Sequence, residues 1–215
     1  MKRSIRNTLT GTLLLSAVVG APAAAGAQPS QWTSASGGNG HWYQVFNSLN
    51  NWLGSNTSAG QLSWNGEQGY LVSITSAAEN DFVQSLISEE CLPDAFQHPC
   101  FGYWIGAYQD PAASDYSEPL GGWRWTSGEN FDYANWASGE PNNTLTGRND
   151  NWAVMYNENS IWGPSAGKWN DDYLTGGFIV EFGSPTPVPE PGSGLLLSIG
   201  AACLAAMAKR RRRSH

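Results

Sequence analysis

Between Tyr103 and Phe182 apolar residues occur only in short runs, and clusters of Gly, Asn, Asp and Pro cut every run. Runs of this kind are strand-length, too brief for the repeating apolar stripe that a helix needs. They are Tyr103–Ala107, Trp123–Trp125, Trp152–Tyr156 and Phe178–Phe182. A helical bundle is therefore excluded for this half of the chain. Upstream, His41–Phe46 and Tyr70–Ile74 also read as strands, whereas Asn47–Gln68 is rich in Asn, Ser and Gly and yields no assignment. Ser76-Ala77-Ala78-Glu79 reads as a capping box, in which the serine and glutamate satisfy each other's backbone N–H groups. Phe82, Val83, Leu86 and Ile87 then follow at helical spacing, which predicts an amphipathic helix over Ala77–Ser88. The expected class is α+β: one or two helices on a small, mostly antiparallel sheet. Thr126–Asn151 is left as a long irregular stretch, and a loop of that length inside a domain is usually functional.

The ends of the chain are not part of that fold. Lys2, Arg3 and Arg6 precede an apolar stretch from Leu9 to Gly20, and Ala25-Gly26-Ala27 supplies small residues before Gln28. This is the layout of a secretory signal peptide over 1–27. Residues 28–40 are Ser/Gly-rich and expected to be flexible. The domain spans 41–183, and 184–191 is a Pro-rich linker that can join neither sheet nor helix. Residues 192–215 carry an apolar segment at the short end of the spanning range, followed at once by Lys209 and Arg210–Arg213. A terminal basic cluster after an apolar span holds that side in the cytoplasm. Val188-Pro189-Glu190-Pro191, then the span, then the basic cluster, together resemble the PEP-CTERM sorting signal of Gram-negative bacteria. The resemblance implies an inner-membrane intermediate, removal of the tail by an exosortase, and delivery to the cell surface or its polysaccharide matrix.

Charge narrows the partners. Of eleven Lys and Arg, three lie in the leader and five in the tail, and seventeen of the eighteen acidic residues precede the sorting motif, so the domain carries 17 acids against 3 bases, a balance of −14. A domain this acidic repels nucleic acid and anionic membrane surfaces. Most such carboxylates serve solubility, but the same excess is what a calcium-binding protein looks like. Cys91 and Cys100 lie close together in one polar segment, and an oxidising compartment permits a local disulfide between them. No second Cys or His cluster with metal-ligand spacing accompanies them.

One set of oxygen-bearing residues stands out in and beyond the long loop. Calcium takes six to eight oxygens from carboxylates, amides, carbonyls and water. Glu140 and Asn142 flank Pro141, so one turn can aim both side chains at one ion. Asn170 and Asp171 add an amide and a carboxylate from beyond the loop, and Asp150 stands just before an apolar strand that would hold it at the rim. These five would bind one calcium and leave coordination positions open. A turn rich in Asn and Asp is more often only a solvated turn, and Glu140-Pro141-Asn142 by itself would not justify more.

The order of features supplies the rest. Strand, helix, Trp104-Ile105-Gly106, Trp136, Glu140-Pro141-Asn142, Trp169-Asn170-Asp171 and Phe178–Phe182 follow the sequence found in C-type lectins, and the resemblance runs from about His41 to Phe182. It implies a C-type lectin-like fold with a cis Glu140–Pro141 bond. Glu140, Asn142, Asp150, Asn170 and Asp171 would ligate one Ca2+, and Glu140, Asn142, Asp150 and Asn170 would also hydrogen-bond two vicinal sugar hydroxyls. Glu-Pro-Asn resembles the mannose-type pattern. Departures are visible: Trp152 and Val180 stand where cysteines are expected, and Asn143 and Asn151 stand where a second ion would want carboxylates. One calcium is therefore expected rather than two.

Three functions compete. The leading expectation is an exported, calcium-dependent carbohydrate-binding protein of the cell surface or extracellular matrix, with a mannose-type sugar or exopolysaccharide as its partner. The second is a module of the same fold that binds protein or serves the matrix structurally, since fold alone does not dictate ligand. The third, a glycosidase using Glu129, Asp132 and Glu140, lacks support: there is no nucleophile elbow, His-based dyad or phosphate loop. The chain is read as not an enzyme. The eleven tryptophans, all between Trp32 and Trp169, are read mainly as core and loop anchors.

Overall fold

The Phe178–Phe182 run becomes the strand around which the domain is assembled. In the computed structural model, residues 28–87, 102–143, 150–157, 166–173 and 176–185 are described. The leader, Cys91 and Cys100, Val188–Pro191 and the segment 192–215 lie outside them. In chain order the elements are β1 (Ser30–Gln31), a short 3-10 turn, β2 (Trp42–Asn50), α1 (Trp52–Gln61), β3 (Ser63–Trp64) and β4 (Glu67–Leu71). They continue with α2 (Ala77–Leu86), β5 (Gly102–Gln109), β6 (Trp123–Trp125), β7 (Trp152–Tyr156), β8 (Trp169–Asp172) and β9 (Gly176–Phe182). The expected α+β class holds: two helices lie on one mixed sheet ordered β1-β2-β9-β5-β7-β8, with β4 also pairing β9, β3 pairing β4 and β6 pairing β5. All these pairings are antiparallel except β5 with β9.

All seven residues of β9 are buried, Glu181 included, so the strand is covered on both faces rather than alternating between core and solvent. Its side chains nonetheless divide by face, as the two-residue period of a strand requires. Phe178, Val180 and Phe182 join Trp52, Ala59, Leu71, Trp104 and Val154 in one core. Ile179 joins Tyr43, Val72, Ile74, Val83, Tyr103, Ile105, Trp125, Met155 and Trp169 in the other. Helix α1 covers the first face and α2 the second. The tryptophans serve mainly as anchors, with Trp104, Trp125 and Trp169 among the largest fully buried side chains. Of the two positions where a cysteine was expected, Val180 is in the core and Trp152 stacks on Trp52 with ring centroids 6.1 Å apart.

Three local expectations change. The segment 28–40 is held down: Ser30 and Gln31 pair with Tyr43 and Trp42, and Trp32 reaches the core and stacks on Phe82 at 5.7 Å. One large aromatic ring outweighs the Ser/Gly composition around it. The unassigned stretch Asn47–Gln68 contains α1, capped by Asn51, whose side chain accepts from the Gly54 N–H. Its Gly, Ser and Asn residues carry no helical apolar stripe, and its buried anchors are Trp52, Ser55 and Ala59. The capping box at α2 is only half formed. Ser76 accepts from the Glu79 N–H at 3.2 Å, but Glu79 reaches past Ser76 to the N–H and hydroxyl of Thr75 at 2.8 and 2.9 Å.

That glutamate belongs to a buried polar cluster. The Tyr43 hydroxyl donates to Glu79 Oε1 at 2.7 Å and lies 3.2 Å from Glu181 Oε1. Glu181 also accepts from the Ser73 N–H at 3.0 Å and meets His41 Nδ1 at 2.6 Å. Burial raises Glu181, and its hydrogen bond to Glu181 raises His41. The short distance to His41 and the Ser73 N–H that donates to Glu181 favour an imidazolium on a carboxylate. A buried carboxylate needs such partners to remain in an apolar interior.

Candidate functional site

Trp169 fixes the frame of the site. Its indole is fully buried and donates through Nε1 to Asn80 Oδ1 of α2 at 2.9 Å. Phe131, Tyr133 and Trp136 from the long loop gather around it, the last with centroids 5.7 Å away. The backbone follows the rings: the Trp169 N–H donates to the Asn135 carbonyl and the Ala137 N–H donates to the Trp169 carbonyl, at 3.0 and 2.8 Å. Lys168 Nζ donates to Asn135 Oδ1 at 2.6 Å. The loop is thus laid along β8, which carries it to Glu140.

The Glu140–Pro141 bond is cis, as the resemblance implied. Beyond it, the Asn142 N–H donates to Asp171 Oδ1 at 2.9 Å and the Asn143 N–H to Asp171 Oδ2 at 2.8 Å. Asp171 is 4 % exposed, so both its carboxylate oxygens hold the backbone of the turn from inside. Asp150 is also buried, and its N–H donates to Asn143 Oδ1 at 2.9 Å. The Glu140 carboxyl is pushed up to about 7, first by burial, then by the negative charge of Asp171, with Asp172 and Asp150 adding to it. Four of the five expected residues are therefore gathered in one acidic corner.

Asn170 is the exception. It is half-buried and paired in register with Val154, whereas Asp171 is paired with Ala153. Residues opposite each other in a ladder share a face, and neighbours along a strand do not. Val154 and Ala153 lie in different cores, so Asn170 leaves β8 on the opposite face from Asp171. β8 is the last strand in the sheet order, so side chains from both of its faces border the same open edge.

Three oxygens in this region are buried without a hydrogen-bond partner among the protein groups: Glu140 Oε2, Asn142 Oδ1 and Asn151 Oδ1. Leaving a buried acceptor unpaired costs on the order of 1–3 kcal/mol, and native structures leave few of them without a reason. The donor set is all oxygen and suits a hard cation. Among the described residues no three His, Cys, Asp or Glu side chains form a preformed metal cage, so Asn amides would have to complete any cation's shell.

Sequence reasoning missed two participants. Asn143, noted there only as a neutral amide in place of a carboxylate, bonds to Asp171, Asp150 and Glu118. Glu118 lies in the β5–β6 connection, and no spacing pattern links it to a residue 25 positions further on. Its only sequence signal is a second Glu-Pro pair, Glu118–Pro119, which is also cis.

Comparisons with known proteins agree with this architecture. Residues 54–173 match the model of the lectin C-type domain, and residues 187–213 match the PEP-CTERM protein-sorting motif, which implies export and sorting to the cell surface. The chain is 36% identical over 108 residues to lithostathine-1 of Mus musculus, covering 50% of this chain and 53% of that protein, so it spans about half of that relative's length. The C-type lectin CEL-I from Cucumaria echinata shares the fold with a TM-score of 0.50 at 22% identity, over 67% of this chain and 91% of that one. Human lithostathine does so with a TM-score of 0.50 at 20% identity, over 72% and 95%. A tail carrying a sorting motif follows a domain matched over more than half the chain, and the protein belongs to the C-type lectin domain family.

Proposed function

We propose that the corner built by Glu140, Asn142, Asp150 and Asp171, with Asn170 as a further amide, holds one calcium ion and binds carbohydrate of the mannose type through it. The observation that carries this reading is the pair of buried, unpartnered oxygens on one turn, Glu140 Oε2 and Asn142 Oδ1, in an acidic corner. A divalent cation would satisfy both oxygens and offset the repulsion that raises Glu140. When bound, it would supply open coordination positions for two vicinal hydroxyls. Glu140 would accept hydrogen bonds from those hydroxyls, and Asn142 would donate to them through Nδ2. Asp171 keeps the turn in place by gripping the Asn142 and Asn143 N–H groups.

The sorting motif supports an activity outside the cell, with exosortase processing of the tail and a surface or exopolysaccharide setting. A single shallow site binds one sugar weakly, so display of many copies would supply avidity. Calorimetric titration with calcium, repeated in the presence of mannose, tests the proposal. One saturable site, on the order of 10⁻⁴–10⁻³ M as in extracellular modules, and a mannose response only with calcium would support it. Glu140→Gln and Asn142→Ala should remove both signals while the domain stays folded. Absence of calcium binding in the unaltered protein would refute it.

A second reading has one observation in its favour. Asp171 already ties down the turn with two backbone hydrogen bonds, so the loop can hold its shape without an ion. A module that binds a non-sugar partner through that loop would show calcium-independent order and no response to mannose.

A further inference from the structure

Resting on the calcium-site reading above, we propose that Asn143 is the positioning residue of the ligand loop and that Glu118, from a different connection, is its anchor. Asn143 touches three separate parts of the chain at once. Its N–H donates to Asp171 Oδ2 of β8 at 2.8 Å, and its Oδ1 accepts from the Asp150 N–H ahead of β7 at 2.9 Å. Its Nδ2 donates to Glu118 Oε2 in the β5–β6 connection at 2.8 Å. Glu118 is in turn held by the Tyr116 hydroxyl, which donates to its other oxygen. One side chain therefore sets the distance between Asn142 and Asp150, two of the proposed ligands, and fixes both to the body of the domain.

The chemistry requires an asparagine. The residue sits at φ 52°, in the left-handed region that Asn and Asp enter more readily than other side chains. Within this reach only an amide offers an acceptor to the Asp150 N–H and a donor to the Glu118 carboxylate. A carboxylate at position 143 would keep the first bond and face Glu118 with like charge. Asn143 thus acts through Asn142, Asp150 and Asp171 rather than on the ligand.

The test compares variants of equal net charge in the full-length protein. Asn143→Gly preserves the positive φ and removes both side-chain bonds. The double variant Asn143→Asp with Glu118→Gln keeps the total charge and reverses the donor and acceptor across the same gap. Calcium affinity is measured by calorimetry, and protection of the Asn142, Asn143 and Asp150 amides by hydrogen exchange in calcium-free protein. Asn143→Gly should weaken calcium binding by roughly tenfold, the size expected when a hydrogen bond to a charged group is lost. It should also speed exchange at Asp150, and the double variant should restore both. Wild-type exchange and affinity in Asn143→Gly would overturn the proposal, as would a double variant no better than the glycine variant. If no form of the protein binds calcium, the exchange readout still decides the role of Asn143, and only the calcium reading falls.

Discussion

Replacing Asp171 with asparagine is the most direct probe of how the loop is held. The carboxylate is buried and accepts two backbone N–H groups, from Asn142 and Asn143, at 2.9 and 2.8 Å. Asparagine offers one oxygen, and its NH2 group would face the second N–H, donor against donor. A lost hydrogen bond to a charged group, with a part-buried N–H left unpaired, costs about 2–3 kcal/mol. Against this, removing the Asp171 charge relieves its repulsion of Glu140, the second cause of that group's raised pKa of about 7. The relief is small because Glu140 is partly screened by solvent, and a net loss of about 2 kcal/mol remains. For a domain of this size that lowers the melting temperature by about 4–8 °C. The offset requires an ionised Glu140, so it fades as pH falls through that group's raised value, and the loss should be larger near pH 6 than near pH 8. Thermal unfolding in chelator measures the effect without any contribution from calcium. A melting temperature within about 1 °C of the wild type at both pH values would show that the two bonds to Asp171 do not hold the turn.

Two further outcomes follow from other parts of the fold. The His41–Glu181 pair raises His41 above its ordinary 6.5, mainly through the hydrogen bond to Glu181, so its stabilisation is complete below that value and is lost as pH rises through the raised one. Thermal melts should show wild-type stability falling across this window and His41→Gln showing a flatter profile; parallel profiles would refute the pairing. At Gly106 an added Cβ would lie 2.4 Å from the Leu71 carbonyl oxygen and 3.0 Å from that of Val72. Gly106→Ala should therefore lower unfolding free energy by about 1–3 kcal/mol or more, measured by denaturant titration, and an unchanged midpoint would mean that the strand can shift at no cost.

Much of the scaffold was legible in the residue pattern. The runs Trp123–Trp125 and Trp152–Tyr156 became strands with those bounds, and the expected helix from Ala77 ended at Leu86. Short alternating runs and capping residues are local signals, and local backbone preference reads them out. The helix α1 escaped because its anchoring is tertiary: Trp52 donates from its buried ring to the Ile105 carbonyl at 2.8 Å, a contact 53 residues away. The corner around Glu140 was only partly legible for a related reason. Residue types announced which side chains could serve a cation, but not which of them would meet. Asn170 and Asp171 are neighbours in the chain, and the strand period sends them to opposite faces; Glu118 and Asn143 are 25 residues apart, and the sheet brings them into hydrogen-bond contact. Composition and order set the chemistry available to this protein, while strand register and the packing of the loop on Trp169 decided which oxygens share one corner, because a side chain's direction is fixed only once its strand has a partner.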